Sequence, residues 1–410
     1  MNPFKLLTLA LAAMLCSAAM ASGLYVVDAG NVTALTDAGG REVLPAGQYE
    51  MIFPVREDEL YAAGSEGHFD LFDAAGDFVA GSFSMLADMN GALVYRRGGQ
   101  YGAMDGSGAA LIDPEWTQLT AASPERFLAL NTSPLDEQPD LVYALVPGEA
   151  PRSTGIYVDG GLQPFADGRM IFRAPDGRYG CLDGEGRAVV PAGWSWIGQY
   201  EGGAAAVSDG AMVGLLDTDG GIRLPLRYTW LHRGEDLLIA LGEDGEMELW
   251  TPDGTMPLGT VADAWEVAPA GPFAAVRRPD ATTLYNASGE AVCTASPDAL
   301  FFPGLDGQVI LSDGPWGTAC QMLLDPDGQP VSGPYMRILP LVSGRYAALT
   351  FNEDYSDMQC ALIDGQGNAL LSEPAREILP AGEDRLVLVT EGEVILADLD
   401  GNAVKRWKED

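Results

Sequence analysis

One short pattern constrains this chain more than any other. Residues 179–186, YGCLDGEG, set three fixed points: an aromatic or apolar residue, an Asp four places on and a Gly seven places on. The same points return at Tyr101, Asp105 and Gly108, at Phe69, Asp73 and Gly76, and at Val213, Asp217 and Gly220. The Asp and Gly alone return at Asp37/Gly40, Asp325/Gly328, Asp364/Gly367 and Asp398/Gly401. Asn286/Gly289 and Thr251/Gly254 carry weaker versions, and Gly148 marks an eroded copy in which Leu145 replaces the Asp. The total is eleven copies. An Asp side chain accepts hydrogen bonds from the backbone amides that follow it and closes a type I turn, while Gly takes the positive φ that lets a second strand leave antiparallel. Each copy therefore predicts a β-hairpin, and helical periodicity is absent almost everywhere, so the fold class is all-β.

The turn glycines lie 32 to 40 residues apart, a spacing that signals solenoids, propellers or arrays. The clearest unit predicts strands at 179–183, 187–191, 194–200 and 204–208, and the next at 213–217, 222–225, 228–231 and 236–241. Tyr179 and Cys181 fall on one face of their strand and Leu182 on the other, so both faces are apolar and need cover from neighbouring units. Each large side chain sandwiched in this way contributes ~1.5 to 3 kcal/mol, available only to consecutive repeats. Residues 23–37, GLYVVDAGNVTALTD, parallel 203–217, GAAAVSDGAMVGLLD, so the mature chain begins on what is elsewhere a fourth strand. It ends on first and second strands at 394–398 and 402–407. Such ends can complete a shared blade and remove an exposed edge. The expected architecture is tandem β-hairpin repeats of about 36 residues in a β-propeller-like array. One large ring, two smaller rings and an open β-superhelix all accommodate eleven hairpins.

Residues 1–21 have the make-up of a signal peptide: Lys5, an apolar run from Leu6 to Leu15, and Ala19-Met20-Ala21 as a cleavage site before Ser22. Leu15 is too large for a usual lipoprotein signal, which disfavours a lipid anchor at Cys16. The expected domains are the signal peptide, 1–21, and a single β-repeat domain, 22–410, secreted or extracytoplasmic, with no later apolar run long enough to span a membrane. Basic residues number 23 against 59 acidic ones, for a net charge of −36, which becomes −37 once Lys5 is removed. A surface this acidic repels nucleic acid and anionic lipid. Cys181, Cys293, Cys320 and Cys360 remain after processing. Export permits disulfides in any of three connectivities, burial as thiols is the equal reading, and none has metal-ligand spacing.

Several units together resemble the WG-repeat family. Tyr101-Gly102 and Tyr179-Gly180 match its opening; Pro114 with Trp116, Pro191 with Trp194 and Pro225 with Tyr228 match its middle; residues 203–207 match its close. Trp316-Gly317 is the one literal Trp-Gly pair and stands four residues early relative to Asp325. The resemblance covers most of the mature chain and implies a repeat scaffold for interactions, with no catalytic residues to carry over.

Candidate chemistry is sparse. Asp217/Asp219, Asp325/Asp327 and Asp398/Asp400 form D-x-D-G, but the Gly falls too early for an EF-hand loop and the flanking helices are missing, so the motif reads as turn chemistry. Trp194/Trp196 and Tyr228/Trp230 lie two apart and predict aromatic pairs on one strand face, suited to sugar rings or prolines, although recurrence with Trp116 at one repeat position favours core. His68 and His232 lie in different units, and neither G-x-S-x-G nor H-E-x-x-H occurs. Asn31, Asn131 and Asn286 begin sequons. Residues 132–140, 147–153 and 352–357 interrupt the rhythm as polar loops and are the first candidates for a partner site. The expectation is a secreted or surface-associated scaffold that binds a protein or glycan and is not an enzyme. No catalytic residue, metal or cofactor is assigned, and the ligand-binding residues are not specified. The alternative is a propeller-type polysaccharide hydrolase or lyase using central carboxylates.

Overall fold

The computed structural model describes residues 23–132, 139–234, 236–314, 320–351 and 358–408. The targeting segment with Cys16, the Trp316-Gly317 pair, the loop 352–357 and most of the loop 132–140 lie outside the described residues. Every regular element among the described residues is a β-strand, and the strands pair antiparallel in ten sheets. Nine sheets hold three or four strands. The tenth holds seven, because Ile222–Arg233 runs from one module into the next. Counting that sheet as two modules gives eleven, one for each copy of the turn.

The turn works as its chemistry requires. At Asp183 the backbone closes with Gly186 N–H donating to Asp183 O at 2.9 Å, and Asp183 Oδ1 accepts the amides of Glu185 and Arg187, each at 2.9 Å. Gly186 has φ 72°, which a side chain would strain. Asp37, Asp105, Asp217, Asp325, Asp364 and Asp398 repeat the arrangement and Asn286 reproduces it through its amide oxygen, whereas the Thr251 hydroxyl accepts a single amide five residues on, from Met256. Gly148 keeps its positive φ, 79°, although the Asp is gone.

A second glycine is explained by the hairpin's irregular register. Tyr101 faces Trp116, Ala103 faces Ile112 and Met104 faces Ala110, with slips between them. Tyr179/Trp194, Cys181/Val190 and Leu182/Ala188 repeat those offsets, as do Val213/Tyr228, Leu215/Leu224 and Leu216/Ile222. The bulged strand pushes a carbonyl toward the residue that follows the template's opening position. A Cβ on Gly102, Gly180 or Gly214 would lie 2.8, 2.6 or 2.7 Å from the carbonyl oxygen of Ile112, Val190 or Leu224 respectively. The aromatic-Gly dipeptide is therefore a consequence of backbone crowding.

Middle strands are buried on both faces and edge strands on one, as in Arg385–Thr390 against Glu377–Pro380. Consecutive modules close each other's cores. Two compact units emerge, one comprising residues up to Ser65, Leu71–Phe78 and Pro303 onward, the other Glu66–Asp70 and Val79–Phe302. In the first, Ile338 packs with Ile310 and Leu323 of the preceding module, and Ile378 with Leu349 and Leu362. In the second, Phe127 and Leu119 pack with Val94 and Trp116, and Ile197 with Cys181 and Val190.

Two expectations are corrected. The strands 204–208 and 213–217 share a sheet, because the turn between them is too short to let the chain leave it. The sheets therefore start two strands earlier than the sequence phase suggests. As a result, the termini do not complete one blade. Leu24–Ala29, Val32–Asp37 and Glu42–Leu44 form their own sheet, and the last four strands form another. Within the first unit these two sheets stack, with Tyr25, Val27 and Ala34 against Val387, Val389 and Leu396. Trp407 Nε1 donates to Glu42 Oε1 at 2.9 Å, and Lys405 Nζ lies 3.4 Å from the same oxygen.

Candidate functional site

The second unit carries a cleft of about 310 Å³ lined by Arg227, Tyr228, Gly242, Glu243, Asp244, Glu246 and Glu248. The long strand Ile222–Arg233 brings Arg227 and Tyr228, Met247–Trp250 brings Glu248, and the turn between Leu238–Gly242 and Met247–Trp250 supplies the rest. Glu248 anchors the floor. Its Oε2 accepts Tyr228 Oη at 2.7 Å, Trp250 Nε1 at 3.2 Å and Arg227 at 2.9 Å, while Oε1 takes the same Arg227 nitrogen at 2.8 Å. The guanidinium also lies 5.0 Å over the Tyr228 ring. Burial, and then the bond to Glu248, pushes the Tyr228 hydroxyl above its usual range, so the phenol stays protonated and keeps donating. Three further carboxylates against one arginine make the walls favourable to cationic or hydroxyl-bearing groups.

The residues expected from sequence are dispersed. His68 is exposed, whereas His232 stacks on Trp230 with ring centroids 5.9 Å apart, and burial lowers its pKa. In the D-x-D-G turns the first carboxylate holds backbone amides, and in two of them the second meets arginine: Asp219 with Arg169 at 3.3 Å and Asp400 with Arg345 at 3.1 Å. Among the described residues no three His, Cys, Asp or Glu side chains converge as a metal ion would require. Cys181 and Cys360 are buried thiols, and Cys181 Sγ lies 3.6 Å from Tyr200 Oη; Cys293 is half-buried and Cys320 exposed. Burial pushes the Cys181 thiol up to about 11. No helix among the described residues is long and apolar enough to cross a membrane.

The paired aromatic faces are not formed. Trp194 ends one sheet and Trp196 begins the next. Between Tyr228, opposite Gly242, and Trp230, opposite Leu241, the register slips by one residue and turns the rings apart. Trp116 and Tyr228 are core residues and Trp194 packs on the core, whereas Trp196 remains 47% exposed.

Sequence reasoning missed Arg169 and Arg345. Arg169 immediately precedes the strand Met170–Arg173 and Arg345 opens the middle strand Arg345–Phe351; each reaches the next module's turn, Arg169 Nε to Thr218 O at 2.7 Å and Arg345 Nε to Leu399 O at 2.9 Å. Gly168-Arg169 and Gly344-Arg345 were the available signal. The Arg227–Glu248 floor left no trace because its partners lie 21 residues apart and occur in one module only.

No protein-family model and no curated protein matches the chain. Among solved structures, BamB from Moraxella catarrhalis is 12% identical over 72% of this chain and 90% of that chain, with a TM-score of 0.31. The crystal structure of a eukaryotic initiation factor is 11% identical over 79% and 97%, with a TM-score of 0.38. Dihydro-heme d1 dehydrogenase NirN in complex with DHE is 12% identical over 68% and 74%, with a TM-score of 0.32. Likeness this low assigns no role to the chain.

Proposed function

We propose that this protein is a secreted or surface-associated, non-enzymatic scaffold of the WG-repeat type that binds a protein or glycan ligand. The observation that carries the reading is the floor of the cleft. Every oxygen of Glu248 is held by Arg227, Tyr228 or Trp250, so the group best placed to act as a base is instead a fixed polar surface. Fixed donors beside aromatic rings, on strands with buried neighbours, suit recognition because little conformational freedom is lost on binding. The WG-repeat resemblance supports the scaffold reading, and the net charge of −36 favours an uncharged or cationic ligand.

Binding to glycan and protein arrays, with release of reducing ends from the same polysaccharides followed in parallel, tests the reading. Binding without turnover is expected, and turnover would establish the hydrolase or lyase alternative. If the cleft is the site, Arg227→Ala weakens ligand binding by roughly tenfold or more, since one guanidinium nitrogen holds both Glu248 and Tyr228.

A further inference from the structure

The cleft of the second unit is tied to the connection that leads into the next module. Ala264 N–H donates to Gly245 O at 2.9 Å, so residues 262–265 are pinned to the turn 243–246 that lines the cleft. Arg278 holds the same residues, with Nε donating to Asp263 O at 3.1 Å and Nη2 to Ala262 O at 2.8 Å, and is itself fixed through Nη1 to Tyr285 Oη at 3.0 Å. Asp263 takes a left-handed φ of 56°, and Ala264 is buried in the core that contains Met247 and Leu249. The backbone beneath Trp265 is therefore held at several points, whereas its indole is 66% exposed. A large apolar ring presented on a fixed backbone loses little freedom when a partner covers it.

The charge of the cleft is unbalanced. Arg227 is committed to Glu248, which leaves Glu243, Asp244 and Glu246 in the lining with no cation opposite them among the described residues. Asp244 Oδ1 accepts the Glu246 amide at 3.0 Å, so the turn that carries the three carboxylates is ordered. Comparable acids elsewhere are occupied: the template carboxylates hold backbone amides, and Asp219 and Asp400 meet arginines. The cleft's carboxylates do not converge as a metal ion would require. The cation they suit is a side chain that enters the cleft and keeps more than one carboxylate in reach.

We infer that the cleft and the Trp265 connection together dock a basic peptide segment of a partner protein. A Lys or Arg side chain enters the cleft among Glu243, Asp244 and Glu246, and a neighbouring apolar side chain packs on Trp265. This rests on the reading of the protein as a ligand-binding scaffold and names the ligand class for the same cleft. An exposed tryptophan bordered by charged side chains is the usual composition of an interface hot spot. Charge complementarity sets the sign of the partner, and the concave cleft beside a projecting apolar ring calls for a ligand that carries a cation next to an apolar group, as a polypeptide does.

The test is fluorescence anisotropy of the full chain with labelled peptides of alternating Leu and Lys, or Leu and Arg, against a Leu and Gln peptide of the same length. The basic peptides bind, more weakly as salt is added, and the Gln peptide does not. Trp265→Ala weakens that binding roughly tenfold, as does the double variant Glu243→Gln/Glu246→Gln. Glu125→Gln/Glu149→Gln removes the same two charges from exposed positions in another module and leaves the affinity unchanged. All of these side chains are exposed, so each variant melts near the temperature of the unaltered protein. Equal binding of the Gln peptide overturns the inference, as does an equal loss in the Glu125/Glu149 variant, which would mean attraction to the net charge alone. Absence of peptide binding by folded protein overturns it too. Glycan binding without peptide binding overturns this inference and leaves the scaffold reading standing, whereas release of reducing ends removes the scaffold reading itself.

Discussion

Gly180 shows how one side chain atom constrains a module. A Cβ there would stand 2.6 Å from Val190 O and 2.8 Å from the Phe172 ring. Gly180→Ala therefore lowers stability by ~1 to 3 kcal/mol, as overpacking does. Urea unfolding checks this, with Gly333→Ala, which meets nothing within 4 Å, as the neutral control. The turn carboxylates add a pH dependence. The Ser107 hydroxyl and the Ala109 amide hold the Asp105 carboxyl below its usual range. Asp37, Asp183, Asp364 and Asp398 are also lowered, in each case with amide bonds outweighing the upward push where the group is partly buried. A carboxyl depressed in the folded state stabilises above its unfolded pKa, ~3.9, and that contribution disappears as pH falls through the folded value. Thermal melts should hold steady from neutral pH to ~5 and drop steeply below ~4. Asp105→Asn, which cannot titrate, should lie below the unaltered protein at neutral pH and converge on it in acid. The Asp was legible in the sequence because its bonds are local, within four residues. Gly180 was legible only as half of a dipeptide, since the carbonyl that forbids a side chain comes from ten residues away.

Strands show the same division between near and far. The turn at each copy of the template follows from adjacent residues, and the sequence places all eleven, although after Gly328 and Gly367 the returning arm makes only isolated bridges in place of a strand. Which hairpins share a sheet depends on the connections between them, and there the phase was misread. First strands carry a signature the turn template obscured, an apolar residue and then Pro two places on: Ile52/Pro54, Val267/Pro269, Ile338/Pro340 and Ile378/Pro380. The apolar residue enters the core between modules, as Ile338 and Ile378 do, and the Pro is tolerated because these strands sit at sheet edges. A bulge separated Tyr228 from Trp230, since a period of two residues fails wherever an extra residue enters, and a sheet boundary separated Trp194 from Trp196. Between modules the arginine contacts are decisive. Arg169 is 19% exposed and binds a carbonyl as well as Asp219, which is itself 87% exposed. Arg169→Ala should cost ~1 to 2 kcal/mol, mostly through the stranded carbonyl. Asp219→Ala removes only a solvated ion pair and should cost less than ~1 kcal/mol. Denaturant midpoints of the two variants decide whether the backbone contact or the charge matters.

At the scale of the molecule, the first and last modules of the chain meet inside one compact unit. Trp407→Phe keeps the apolar contact with Tyr25 and its neighbours but leaves Glu42 without its indole donor, and should destabilise by ~1 kcal/mol. A thermal melt of the full chain reads this directly. Repeat arrays whose modules meet only through side chains come apart stepwise, since each interface is a separate and modest term. The strand Ile222–Arg233 is an exception to that rule. It joins two modules by continuous main chain, hydrogen-bonded along one half to Val213–Asp217 and along the other to Leu238–Gly242. It acts as a mechanical splint: neither module can peel away without unzipping a ladder that also belongs to its partner. Amide exchange should accordingly reveal a single slow block from Trp196 to Val261, opening as one event, with the cleft mounted inside it.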